Sequence, residues 1–346
     1  MVCRLVLGAV MVSACLATVE AQQARPGGAA ATQPPAEGDL AAFVNFDAKD
    51  TATKLEVIQH AVYEVNQRLI VESFAREYGS RVRITRVDYP NYDRELTPAY
   101  VFEPVKLDPA RRYPALVVVH GGFHFSFTED IFEFVARAVE EGYIAVFPEY
   151  RGSRGYGAEH YNAADYGGKE VDDVLAAAEY VKARRSVNPA RIGIVGRSHG
   201  GMIALLAIER APKVFTAAVD VVGLTDFLAY MAYKPDYRRE EVIRQPRFGG
   251  KLPSQNLPAY MDVSPLNHVD DIHTPLLIHS TTGDKTAPVQ LHAERLIDAL
   301  KARGKTFEYK IYDRAPGGHV YSRGDSPESR DSADRIFVFL AKHLKG

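Results

Sequence analysis

The chain has 346 residues, 46% hydrophobic and 25% charged, with a formal net charge of −2 at pH 7. That balance fits a globular protein with a sizeable core and offers no basic surface to a nucleic acid. Its two cysteines, Cys3 and Cys15, both precede Leu16, so the rest of the chain has no thiol for a disulfide, a cysteine nucleophile or a thiolate metal site.

Residues 1–4 make a short positive start and residues 5–16 an apolar run too short to span a bilayer, with Val19-Glu20-Ala21 offering small residues before Gln22. The pattern reads as a secretory signal over residues 1–21 and predicts export to the periplasm or the exterior. Val12-Ser13-Ala14-Cys15 also resembles the lipobox of bacterial lipoproteins, which would acylate Cys15 and supply the one expected link to a membrane. The competing reading makes Cys15 an apolar member of the run. Residues 22–39, rich in Ala, Pro, Gly and Gln, read as a flexible tether.

Next, Leu55, Ile58, Val62, Val65, Leu69 and Phe74 recur at helical spacing and predict a helix over residues 52–77. With the candidate strands RVRITRVDY (81–89) and PAYVFEP (98–104) it forms an N-terminal portion, residues 40–112. The run PALVVVHGG (114–122) opens the main domain, residues 113–346, as a strand buried on both faces. A helix near 130–140, strand YIAVFPEY (143–150), a helix near 169–185 and strand RIGIVG (191–196) follow. After them come a helix beyond Ser198 and the strands AAVDVVG (217–223), TPLLIHS (274–280) and FEYKIYD (307–313). The alternation predicts a three-layer α/β fold, a mostly parallel central sheet flanked by helices, with ligands beyond the carboxyl ends of the strands.

At the seam after RIGIVG stands Gly196-Arg197-Ser198-His199-Gly200. Gly-x-Ser-x-Gly between a strand and a helix is the nucleophile elbow of the α/β-hydrolase fold, in which a strained turn exposes the serine hydroxyl and glycines remove colliding Cβ atoms. A serine hydroxyl needs a base, and the base an orienting carboxylate. In this fold both come later in the chain. Asp284 follows TPLLIHS and His319 follows FEYKIYD, each just past a strand end on the edge that carries Ser198. Asp226, after AAVDVVG, is the alternative acid, its competing role an N-cap or loop hydrogen bond. Asp220, His279 and Asp313 belong to strands or their ends. The backbone N–H of His199 is the first candidate oxyanion donor, while its side chain either lines the pocket or packs.

His120-Gly121-Gly122-Phe123 resembles the HGG signature of esterases and peptidases, making the N–H of Gly122 or Phe123 the second candidate donor. His120 itself reads as a structural hydrogen-bonder. Phe123, Phe125 and Phe127 are candidates either for the floor of an acyl or side-chain pocket or for ordinary packing. Residues 226–265, with Tyr230, Tyr233, Tyr237, Phe248 and Tyr260, read as a small cap over the pocket or as packed loops.

Five stretches occur in order from about Pro114 onwards: EYRGSRGYGAEHY, GGKEVDDVLAAAEYV, NPARIGIVGRSHGGMIAL, SPLNHVDDIHTPLLIHSTTGDKTAP and GGHVY. Together they resemble the catalytic domain of the prolyl oligopeptidase family of serine peptidases. The resemblance implies that Ser198 matches the family's nucleophile, Asp284 its acid and His319 its base, and that Tyr156 matches a position near the active-site edge. Large members carry a β-propeller before this domain, and the roughly 75 residues between the tether and PALVVVHGG are too few for several blades. The expectation is therefore an enzyme that cleaves a small peptide or an ester through an acyl-enzyme. A carboxylesterase acting on acyl groups of polysaccharides is the alternative, and a binding protein that has lost activity the remaining one. No cofactor or metal is expected: His268-Val269-Asp270-Asp271-Ile272-His273 matches no familiar ligand set, and YGGKEV lacks the first glycine and the final hydroxyl of a nucleotide loop.

Overall fold

The computed structural model describes residues 51–122 and 124–346. The expected signal, lipobox cysteine and tether, and Phe123, lie outside the described residues.

The N-terminal helix α1 runs Thr51–Tyr78, followed by β1 (Val82–Pro90), β2 (Leu96–Pro104) and β3 (Tyr113–Val119). Then come α2 (Phe132–Glu140), β4 (Ile144–Pro148), α3 (Gly157–Asn162), α4 (Lys169–Lys182), β5 (Val187–Arg197), α5 (His199–Arg210) and β6 (Ala217–Val221). The segment corresponding to the cap holds α6 (Phe227–Tyr233), α7 (Asp236–Ile243) and α8 (Leu257–Asp262). The chain continues through β7 (Leu276–Thr281), α9 (Ala293–Ala302), β8 (Phe307–Tyr312) and α10 (Pro327–Leu344).

All eight strands form one sheet in the order β1-β2-β4-β3-β5-β6-β7-β8. Strand β2 is antiparallel to β1 and β4, and every pairing from β4 across to β8 is parallel. The continuous apolar runs follow from this, because a parallel strand covered by helices on both sides buries every side chain. In β3, Ala115, Val117 and Val119 enter one core with α4, α5 and α9, while Leu116 and Val118 enter the other with α1, α2 and α10. Gly193 in β5 lets α10 lie close, since a Cβ there would come 2.8 Å from Leu344.

Two features depart from the sequence reading. Helices α3 and α6 to α10 fill segments that it left unassigned, with α10 starting where the Ser326 hydroxyl accepts the Ser329 N–H at 3.1 Å. And the apolar row that marks α1, except for Phe74 at its end, does not face the protein. Leu55, Ile58, Val62, Val65 and Leu69 are between 47% and 61% exposed, whereas His60, Gln67, Ile70 and Phe74 are buried.

Candidate active site

Ser198 adopts φ 56°, ψ −119° between β5 and α5, a conformation costly for any residue with a Cβ. The surroundings hold it there: its N–H donates to the Val221 carbonyl at 2.8 Å and its carbonyl accepts the Met202 N–H at 3.1 Å. The flanking glycines are obligatory. A Cβ on Gly196 would overlap the Gly200 carbonyl, and one on Gly200 would overlap the carbonyls of Val119 and His120. The elbow is thus wedged against the end of β3, where a Cβ on Gly121 would lie 3.2 Å from that of Ser198.

From the far side of the sheet edge, the loops after β7 and β8 bring Asp284 and His319 to the same place. His319 Nε2 lies 2.8 Å from Ser198 Oγ, and its Nδ1 lies 2.7 Å from Asp284 Oδ2. Asp284 is buried, yet its other oxygen accepts the backbone N–H groups of Thr286 (2.7 Å) and Ala287 (2.8 Å), so the carboxylate is solvated by the protein and its orientation fixed. The two loops meet backbone to backbone at Gly318, which has φ 54° and no room for a Cβ beside the Gly283 carbonyl, 2.8 Å away.

The competing carboxylates and imidazoles are occupied elsewhere. Asp226 caps α6 by accepting the Ala229 N–H at 2.9 Å and pairs with Arg295. Asp220 is buried under the elbow, where burial raises its carboxyl to about 7. His279 Nδ1 lies 2.9 Å from Ser332 Oγ, and Asp313 accepts the Thr282 hydroxyl. The Tyr156 hydroxyl donates to that of Tyr100 at 3.0 Å. His268 contacts the Asp262 carbonyl and Asp270 pairs with Arg303; among the described residues no cluster of His, Cys, Asp or Glu could hold a metal.

On the oxyanion side, His199 opens α5, and Gly122 turns the chain after β3 with φ 58°, where a Cβ would strike Phe125 at 2.7 Å. Tyr150 steadies this loop: its hydroxyl sits 3.0 Å from the His120 carbonyl and 3.1 Å from that of Gly122. His120 stacks on Tyr150 at 4.1 Å and bonds Ser153 at 2.9 Å, and burial lowers its imidazole to about 3. It is a neutral strut.

A pocket of about 210 Å3 opens beside Ser198. Phe125, Tyr166, His199, Leu224 and Tyr230 wall it, with Lys234, Arg238 and Glu241 of the cap segment on the remaining side. The two described phenylalanines part company: Phe125 lines this pocket and Phe127 is fully buried in the core. The cap aromatics divide too, since Phe248 and Tyr260 stack in series with Phe227 inside the core, Tyr237 is exposed and Tyr230 reaches the pocket.

Sequence reasoning did not single out Glu170, whose Oε2 lies 2.6 Å from His199 Nε2 with both residues buried. A signal existed, because Glu170 and Asp173 share the apolar row of α4 with Val174 and Ala177, and a carboxylate at such a position must have a partner. Asp173 finds Arg151 at 2.6 Å.

A profile of the prolyl oligopeptidase family matches residues 126–346. The chain is 28% identical over 268 residues to an uncharacterized peptidase, YuxL, of Bacillus subtilis (strain 168), covering 75% of this chain and 38% of that protein. It is 27% identical over 270 residues to the acylamino-acid-releasing enzyme of Mus musculus, covering 75% and 35%. Among solved structures it resembles a puromycin-hydrolyzing peptidase of Mycobacterium tuberculosis, with TM-score 0.66 and 25% identity over 76% of this chain and 39% of that one. It shares the fold of an acylaminoacyl peptidase in complex with Z-Gly-Gly-Phe-chloromethyl ketone, with TM-score 0.67 and 23% identity over 77% of this chain and 42% of that one. The chain therefore spans less than half the length of these relatives.

Proposed function

This chain belongs to the prolyl oligopeptidase family, and from that premise we propose that it is a serine peptidase that cleaves short peptides through an acyl-enzyme on Ser198. The observation that carries the reading is the unbroken chain from Ser198 Oγ through His319 to Asp284, with the serine facing a pocket. His319 Nε2 takes the hydroxyl proton as Oγ attacks the scissile carbonyl, and Asp284 holds the ring through Nδ1–H. The backbone N–H of His199, with that of Gly122 or Phe123, receives the negative charge that develops on the carbonyl oxygen. His319 then protonates the leaving amine, and water releases the acid by the same steps in reverse order of roles.

The pocket walls favour an apolar side chain on the acyl side of the bond, because Phe125, Tyr166, Leu224 and Tyr230 offer ring and methyl surface. Named relatives that act on acylated amino acids and on puromycin support an amide as the bond attacked.

The reading is tested with matched p-nitroanilides and p-nitrophenyl esters of N-acetyl-phenylalanine, N-acetyl-alanine and N-acetyl-glutamate. Measurable kcat/KM on the anilides, highest for phenylalanine, is the expected result. Cleavage of the esters with none of the anilides would make the protein a carboxylesterase instead.

A further inference from the structure

The outward row on α1 has no role in packing within the described chain. Leu55, Ile58, Val62, Val65 and Leu69 follow one another at intervals of three and four, the spacing of the a and d positions of a coiled coil. A surface helix ordinarily turns such a row inward. Here His60 and Gln67 face the domain in its place, helped by Ile70 and Phe74. We propose that this row is the seam of a homodimer, in which the α1 helices of two copies pack side by side.

A second copy suits the row better than a lipid surface does. The five side chains expose apolar surface on the order of 450 Å2 per copy, within the range of the largest patch on an ordinary monomer, which is often an interaction site. Two copies with the stems of flanking residues reach about 1,200 Å2, the lower end of stable interfaces. The flanking positions Lys54, Gln59, Ala61, Asn66, Arg68 and Ser73 place no like charges opposite one another across a parallel pair, where each residue faces the one five further along. A lipid surface fits less well, since Lys54, Arg68 and Arg76 are outnumbered on the helix by Glu56, Glu64, Glu72 and Glu77.

The seam would also bear on the pocket. His60 packs edge-on against Tyr161 of α3 at 5.1 Å, and Tyr161 stacks on His124 at 3.6 Å. Arg154 lies over both Tyr63 of α1 and Phe125, at 5.7 and 5.3 Å. His124 and Phe125 line the pocket, so pairing of α1 braces one of its walls.

Sedimentation equilibrium on the full chain tests the proposal without reference to activity. At about 100 µM, above the micromolar end of the affinities that protein interfaces span, the wild type should show twice the chain mass. Val62→Glu and Val62→Lys should each show the single mass with an unchanged far-UV circular dichroism spectrum, because Val62 is 58% exposed on the single chain. An equimolar mixture of the two variants should return to the double mass. A wild type of single mass, variants that keep the double mass, or a single-mass wild type that floats with phosphatidylcholine vesicles would each overturn the proposal.

Discussion

Glu170 anchors His199 from 29 positions earlier in the chain, with 2.6 Å between Oε2 and Nε2 and neither residue open to solvent. In the proposed reaction the residue after the serine has two separate duties, a backbone N–H beside the reacting carbonyl and a ring fixed in the pocket wall against the edge of Tyr166, 4.3 Å away. Truncating one member of a buried polar pair strands the other. Glu170→Ala should cost about 3 kcal/mol in urea unfolding and lower kcat/KM more than tenfold. Glu170→Gln keeps an acceptor and should retain most of both. Equal losses in the two variants would show that the ring is held by the negative charge of Glu170 and that a neutral acceptor of the same shape does not replace it.

Asp284 and Asp226 make opposite claims on the role of acid. Asp284→Asn should fold with a nearly unchanged Tm and lose kcat on the order of 10⁴-fold, because the ring loses its orienting anion. Asp226→Asn still caps α6 through its side-chain oxygen and gives up only the pair with Arg295, so activity should stay within a few fold. Steady-state kinetics with circular dichroism on both variants decides between them, and reversed outcomes would move the acid to the end of β6.

Stability should depend on pH with a maximum near neutrality. Burial lowers His120 from 6.5 to about 3, and His124, His279 and His292 to about 4. The folded values lie below the unfolded one, so this contribution is complete above about pH 6.5 and is lost as pH falls towards 4. Burial raises Glu149 from 4.5 to about 8 and Asp220 from 3.8 to about 7. Their contribution is complete below about pH 4 and is lost as pH rises through 7 to 8. Between pH 4.5 and 6.5 the histidines outnumber the acids, which places the expected maximum of Tm at about pH 6.5. In Glu149→Gln the decline from pH 6.5 to 8 should become shallower. An unaltered alkaline slope would show that this carboxyl ionises without cost in the folded state.

The sheet and the positions of Ser198, Asp284 and His319 were legible because each is announced locally, by a buried run that ends in glycine-rich sequence at one edge. Contacts between distant segments were not. Nothing near Glu170 names His199 as its partner; the crossing of α4 over the start of α5 decides that. Phe125 and Phe127 sit two apart in a loop without periodicity, so no spacing rule tells that one lines the pocket and the other enters the core. Helix α10 hid behind its first half, which after Pro327 is polar up to Arg335 except for Ala333 and gains its apolar side only at Ile336. In α1 the period gave the helix correctly, but a period alone does not say which neighbour the apolar face is for.

Ser198 Oγ is the atom that carries the acyl group in the proposed reaction. Intact and peptide-level mass spectrometry after treatment with a fluorophosphonate, run beside kcat/KM on the acetyl-phenylalanine anilide, addresses that point for wild type and Ser198→Ala. The expected result is a single adduct on the peptide that contains Ser198, absent from a Ser198→Ala variant that unfolds like the wild type and has lost activity on the order of 10⁶-fold. An adduct on another serine, or anilide cleavage that survives in Ser198→Ala, would contradict it.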